Sequence, residues 1–288
     1  MRTHRPLARL PQLLVAGLLA AAGVAIPNAA SAQGVLVAPT VVFANSRTRS
    51  ATMDLINTSS NPSEITIETQ FGYPVTDSLG GISVRLVDSV PGGAPSIAPY
   101  VVAYPRHVTV QPGAKQVVRL IVNAPSTLPD GEYWSRIIIT SRGGAMKLSA
   151  RSTADTNAIQ VGVSLVVRTV TTLLYRKGAV TAALDASDVA AQRVGDSVIV
   201  TAHVARQGTG VFLGMAHLKL VDGSGAVVAQ LDRQLPVYYP LAPRYALAIP
   251  SGARGPFSVR MTLANDREDI PQKDRLPFPV VDKTTIIK

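Results

Sequence analysis

The chain has no cysteine, and its four histidines are the first residues to weigh for catalytic or metal chemistry. Without thiols there is neither a thiolate nucleophile nor a cysteine metal site. His4 stands near the start, and His107, His203 and His217 fit no HxH or HxxxH spacing. His203 and His217 fall in alternating, strand-like stretches, where an ordinary sheet residue is the commoner outcome. No GxSxG nucleophile elbow, P-loop or helix-opening GxGxxG occurs. The sequence therefore reads as that of a non-enzyme, with no cofactor and no metal.

The elements that remain are strands. "LPDGEYWSRIII", residues 128–139, holds the one tryptophan, Trp134, directly after Tyr133. Pro129-Asp130-Gly131 reads as a turn and the aliphatic run as a strand. Tyr133, just after such a turn, takes the place of the tyrosine corner of immunoglobulin-like sandwiches. Ser135 stands where an antibody-type domain carries cysteine. Trp134 points to the opposite face, capping the domain or covering its hinge side.

Residues 1–32 read as a secretory signal peptide. Arg2, Arg5 and Arg9 precede the apolar "LLVAGLLAAAGVAI", and Ala30-Ser31-Ala32 is a small-x-small cleavage site. That apolar run is shorter than the ~20 residues of a membrane span, and no other run of spanning length follows. Removing the signal takes the formal charge from +10 to +7, since it holds three arginines and no acid. No dense Lys/Arg block or aromatic–basic interleaving accompanies the excess, which argues against a nucleic-acid partner.

"RSATMDLIN" puts Ala51, Met53 and Leu55 on one face, and "ITIETQFGYPV" puts Ile65, Ile67, Thr69 and Phe71 on one side. "GVLVAPTVVFA" carries Pro39, which fits an edge strand or one that switches sheets. Residues 77–99 read as loop-rich, with "PGGAPSIAP" as a Pro/Gly connection. Pro112-Gly113 turns between "RHVTV" and "QVVRLIV", and residues 142–158 lack periodicity and read as an unusually long loop. The longest strand, "IQVGVSLVVRTVTTLLYR", puts Ile159, Val161, Val163, Leu165 and Val167 on one face. Eighteen residues would span ~60 Å, far beyond an ordinary strand, so it should overhang its sheet or bend. Lys177-Gly178 is the expected hinge. A second strand series follows, with "DGSG" at 222–225 as a hairpin signal and "VVDKTTIIK" as a final edge strand. The fold class is thus all-β: two tandem immunoglobulin-like sandwiches at 33–177 and 178–288.

The stretches "VVFANSRTRSATMDLINTS", "YPRHVTVQPGAKQVVRLIV", "LPDGEYWSRIII" and "LLYRKG" make the chain resemble the periplasmic pilus-assembly chaperones of the PapD-like superfamily. Its nearest likeness is to their non-classical, chaperone-like branch. The resemblance covers most of residues 35–178; the second domain matches in length and strand pattern only. It implies a periplasmic chaperone for pilus, fimbrial or other surface-fibre subunits, with an outer-membrane usher as a further partner. Such chaperones lend a strand to subunits whose own sandwich lacks one. By resemblance the donated side chains are Val161, Val163, Leu165 and Val167, worth about 6–12 kcal/mol before ordering costs. Arg176 matches the hinge arginine that pairs with acids to fix the interdomain angle. Family members hold the subunit's terminal carboxylate with two cations, but Thr40 and Thr172 occupy those positions here. Two hydroxyls do not replace two cations; Arg168, on the face of Thr172, is the candidate substitute. The alternation of the long strand also fits one facing its own core. The alternative is therefore a non-catalytic envelope protein, structural or adhesive, built from the same two domains.

Overall fold

A computed structural model describes residues 34–143, 146–147, 162–163 and 165–287. Alternating apolar residues and turn signals produce strands throughout. β1 (Val35–Ala38) and β2 (Val41–Asn45) are separated at Pro39-Thr40, and β3 (Ser50–Asn57) and β4 (Ser63–Thr76) follow. β5 (Ile82–Val87), β6 (Val101–Tyr104), β7 (His107–Val110) and β8 (Lys115–Val122) lead to β9 (Gly131–Gly143). β10 (Met146–Lys147) pairs with β11 (Gly162–Val163), and β12 (Val166–Lys177) ends the series.

Besides the two-stranded β10–β11 pair, two larger sheets form from these strands. One runs β1-β3-β8-β6; the other runs β2-β12-β9-β4-β5, with β7 also on β4. Met53, Leu55, Val118 and Leu120 of the first sheet pack against Ile65, Ile67, Ile137, Ile139, Leu173 and Tyr175 of the second. In β8 the buried Val118, Leu120 and Val122 alternate with outward Val117, Arg119 and Ile121, as the pleat demands. The Tyr133 hydroxyl donates to the Pro129 carbonyl at 2.8 Å, closing the corner.

The second strand series is β13 (Ala183–Val194), β14 (Ser197–Gln207), β15 (Phe212–Val221), β16 (Val227–Val237), β17 (Arg244–Ala248), β18 (Phe257–Ala264) and β19 (Val281–Ile287). They form sheets β13-β14-β17 and β16-β15-β18-β19, whose facing residues make one core that includes Val198, Val200, Leu218 and Met261. The turn at Asp222–Gly225 joins β15 to β16, and β19 is an edge strand on β18. Among the described residues no sheet mixes strands from the two sides of Gly178. All of them belong to one compact unit, Gln33–Lys288.

Several local expectations are corrected. Residues 77–99 include β5, which pairs with the second half of β4 where that strand leaves β9 at Gln70. Beyond that point Phe71 departs from the core of Ile65 and Ile67 and joins a third cluster with Trp134. The turn expected at Pro112-Gly113 is present, and it connects strands of opposite sheets, since β7 pairs with β4 and β8 with β3 and β6. Arg142 and Gly143, read as loop, extend β9; most of the remaining 142–158 stretch lies outside the described residues, as do Ile159, Gln160 and Val161. Within the described residues the long strand comprises β11, which pairs with β10, and β12, which pairs with β9.

Candidate functional site

The break at Pro39 decides what covers β12. β1 pairs with β3 in one sheet, while β2 pairs in parallel with β12 only from Thr172↔Val41 to Arg176↔Asn45. On its other edge β12 pairs with β9 along its whole length, from Val166↔Arg142 to Lys177↔Gly131. Among the described residues, Val166 to Thr171 therefore have a strand partner on one edge only.

Burial falls along the same strand. On the core-facing side Leu173 is 0% exposed and Tyr175 2%, Thr171 is buried, Val167 and Thr169 are half-buried, and Leu165 is 46% exposed. On the reverse side Leu174 and Thr172 are buried, whereas Val170, Arg168 and Val166 are exposed. The strand thus leaves its own sandwich carrying apolar side chains into the open. Of the four residues expected to enter a partner, Leu165 and Val167 lie on this overhang and Val163 lies in β11. Val161 is outside the described residues.

Beside the covered end of β12, at Leu174, the two sandwiches meet at an apolar patch. Val41, Phe71, Trp134 and Leu174 pack with Val211, Leu213, Tyr238 and Ile270. Trp134 covers the hinge side: its ring stacks on Phe71 at 5.7 Å and meets Tyr238 edge-on at 4.9 Å. Its indole N–H donates to the Gly72 carbonyl at 3.0 Å, so the polar edge of this fully buried ring is satisfied.

Arg176, next to last in β12, bonds to residues on both sides of Gly178. Its Nε donates to Glu132 Oε1 at 2.7 Å and a terminal nitrogen donates to the Asp274 carbonyl at 2.7 Å. The guanidinium lies 5.0 Å from the Phe43 ring centroid. The other oxygen of Glu132 accepts the Val211 N–H at 2.6 Å. Glu132 belongs to the first sandwich and Val211 and Asp274 to the second series, so this one carboxylate and this one guanidinium join both. Burial raises the Glu132 pKa, while Arg176 and the Val211 amide work against that rise. Gly178 then turns with φ +56, and a Cβ there would overlap the Asp130 carboxylate. That carboxylate accepts the Ala179 N–H at 3.2 Å.

Two cations, Arg136 and Arg267, stand near Thr172 and Thr40. Arg136, the β9 partner of Thr172, donates to the Thr172 hydroxyl and, through Nε, to the Gly72 carbonyl at 3.1 Å. It is 5% exposed and lies 4.8 Å from the Tyr238 ring centroid, and one terminal nitrogen is buried without a partner. Thr40 donates to Asp269 Oδ2 at 2.8 Å, and Arg267 grips that carboxylate through both oxygens at 2.9 and 2.5 Å. Arg267, first among the causes, and then Thr40 hold the Asp269 pKa down. Arg168 pairs with Thr140, four residues from Thr172, so it lies about 13 Å along the strand from the threonine. Glu132 and Arg136 were legible in principle, as charges inside the otherwise apolar "GEYWSRIII".

His203 is exposed on β14, and His217 on β15 sits between Asp232 and Asp266 at 2.7 and 2.9 Å. No group of three or more potential ligands with metal-binding geometry occurs among the described residues. No helix among them is long and apolar enough to cross a membrane.

No protein-family model and no curated sequence matches this chain. Solved structures resemble it at low sequence identity. One is a chain of the CsuC–CsuE chaperone–tip adhesion subunit pre-assembly complex from the archaic chaperone-usher Csu pili of Acinetobacter baumannii. It is 12% identical, with a TM-score of 0.45, over 88% of this chain and 98% of that one. The CupB2 chaperone of Pseudomonas aeruginosa is 13% identical at a TM-score of 0.43, over 88% of this chain and 100% of that one. The E. coli chaperone DraB is 15% identical at 0.40, over 80% and 89%.

Proposed function

We propose that this chain is a non-catalytic periplasmic chaperone for subunits of a pilus, fimbria or other surface fibre. It acts by lending the overhang of β12 to a subunit whose own sandwich lacks a strand. The observation that carries this reading is the uncovered edge of Val166–Thr171, with Leu165 and Val166 about half exposed beside it. Six residues of open edge offer about three N–H and three C=O groups to a new neighbour. Their pairing supplies affinity, and alternate side chains set the register. Val161, Val163, Leu165 and Val167 are the side chains assigned to the subunit's groove. Export through residues 1–32 brings the chain to the compartment where such subunits fold, and an outer-membrane usher receives the complex.

Arg176 is assigned the hinge, where it and Glu132 hold the two sandwiches in one orientation. For the subunit's terminal carboxylate, Arg136 is a better placed cation than Arg168, because it sits against Thr172 with an unpartnered nitrogen. The self-contained Thr40–Asp269–Arg267 group favours a second reading, a structural or adhesive envelope protein. In that reading the cleft is closed by its own residues and receives no client.

The test is a pull-down from periplasmic extract with the chain beginning at Gln33, beside its Val163→Asp/Leu165→Asp variant. The proposal expects a small secreted subunit bound to the wild type and lost from a variant that stays folded by circular dichroism. An empty wild-type pull-down gives the lead to the structural reading, and unfolding of the variant shows the strand to be core.

A further inference from the structure

One segment of the second strand series reaches across to the first sandwich. It is the connection between β18 and β19, residues 265–280. The Thr40 hydroxyl donates to Asp269 at 2.8 Å, Ile270 packs with Val41, Trp134 and Leu174, and Arg176 donates to the Asp274 carbonyl at 2.7 Å. The segment is also tied to its own sandwich. The Asn265 amide donates to the Leu276 carbonyl at 2.7 Å, and Asp266 Oδ2 lies 2.9 Å from Nε2 of His217 on β15.

The other ring nitrogen of His217, Nδ1, lies 2.7 Å from Asp232 Oδ1. Both nitrogens thus face carboxylate oxygens, which only accept. A neutral imidazole has one N–H and one lone pair, so it satisfies one contact and turns a lone pair on the other. The imidazolium has two N–H donors and satisfies both. The two carboxylates are not held alike. Asp232 is opposite His217 within the β15–β16 ladder, whereas Asp266 lies just beyond the end of β18. When the ring is neutral, Asp266 is therefore the partner free to leave.

The charges around the ring favour the proton. Asp232 comes from β16, and Asp266, Glu268 and Asp269 come from the segment; Arg267, which lines the same cleft, is engaged by Asp269. Opposite His217, β18 places the neutral Thr262. Two residues further along β15 is Lys219, and Arg260 opposite it on β18 is engaged by Asp282 of β19. Partial burial opposes charging of the ring, but its bonds to Asp232 and Asp266 outweigh that and raise its pKa.

We propose that His217 is a pH-operated clasp: as the imidazolium it fastens the 265–280 segment across the two sandwiches, and loss of its proton loosens that segment at Asp266. The chain then holds its sandwiches together more tightly in acid than in weak base. Loosening frees the flank that Asp269 and Ile270 close beside Thr40 and Val41. The clasp does not depend on strand donation.

The test is amide hydrogen exchange of the chain beginning at Gln33, from about pH 5.5 to about pH 8.5, on both sides of the imidazole range. Rates are corrected for the intrinsic effect of pH, and the His217 ring is followed by NMR. The Ile270 and Asp274 amides report on the segment, because they donate to the Arg267 and Pro271 carbonyls within it. Their protection should fall about tenfold as the ring loses its proton, the loss of one bond between charged groups. The β16 amides flanking Asp232 should change much less. In His217→Gln and Asp266→Asn the segment should start about tenfold less protected in acid and stay level across the range. Wild-type protection that is level through the ring's titration overturns the proposal, as does a pH dependence that survives in both variants. An equal or larger loss in β16 also overturns it, since His217 would then be a general stabiliser and not a clasp on the segment.

Discussion

Leu173 and Leu165 lie on the same face of one stretch of chain, eight residues apart, and the account gives them opposite roles. Leu173 is 0% exposed in the core of the first sandwich. Leu173→Ala removes its transfer energy and leaves a cavity, a cost of about 2–5 kcal/mol. Leu165 is 46% exposed. Its truncation forfeits roughly half of a leucine's transfer energy, about 1 kcal/mol, and water fills the space. With a urea slope of about 2.5 kcal/mol/M, Leu173→Ala should lower the midpoint by about 1–2 M and Leu165→Ala by about 0.4 M. Trp134, the only tryptophan, is fully buried at the hinge and reports the transition by fluorescence. Equal destabilisation of the two variants would mean that Leu165 is sealed in the chain's own core and is not available to a partner.

Glu132→Ala should cost about 3 kcal/mol in urea unfolding, since it strands Arg176 and the Val211 amide beside a buried site, and Glu132→Gln should recover part of the loss. Gly178→Ala should destabilise by more than about 1 kcal/mol, because φ +56 and the adjacent Asp130 carboxylate both oppose a Cβ; an unchanged midpoint would contradict the described turn. For His217, partial burial opposes the charged ring, but the bonds to Asp232 and Asp266 outweigh it and raise its pKa above the ordinary 6.5. Its stabilisation should therefore be complete below pH 6.5, where the ring is charged in both states, and fade as pH rises through the folded value. His217→Gln should show its largest stability deficit on the acid side; a deficit growing with pH would reverse the sign.

The alternation of Met53 and Leu55, of Val118 and Leu120, and of Ile65 and Ile67 made the first core legible, because a strand shared between core and solvent must alternate. The Pro129–Tyr133 corner was legible for a similar reason, since a turn followed by tyrosine leaves the hydroxyl only a short reach to upstream carbonyls. Other features were hidden by non-local pairing. β5 is short and has few buried side chains, so "ISVRLV" gave little pattern, and only its ladder to the second half of β4 makes it a strand. Phe71 changes clusters because β4 leaves β9 at that point, which no single-strand periodicity can show. Arg136 sits within an isoleucine-rich run, and its place against Thr172 follows from register across two strands 36 residues apart in sequence. The charge inside the apolar run was the available signal. The distinction between a donated and a core strand was not in the alternation at all. It depends on where β2 begins to cover β12, and that is fixed by the break at Pro39.

The central claim is that the free edge of β12 is the surface a subunit occupies. Hydrogen exchange of the amides of residues 165–171 tests it most directly, measured in the free chain and in complex with the captured subunit. Amides facing the open edge should exchange quickly in the free chain and become protected in the complex, while those of residues 172–176, paired on both edges, stay protected in both. Slow exchange across 165–171 in the free chain, or no change on binding, would contradict it.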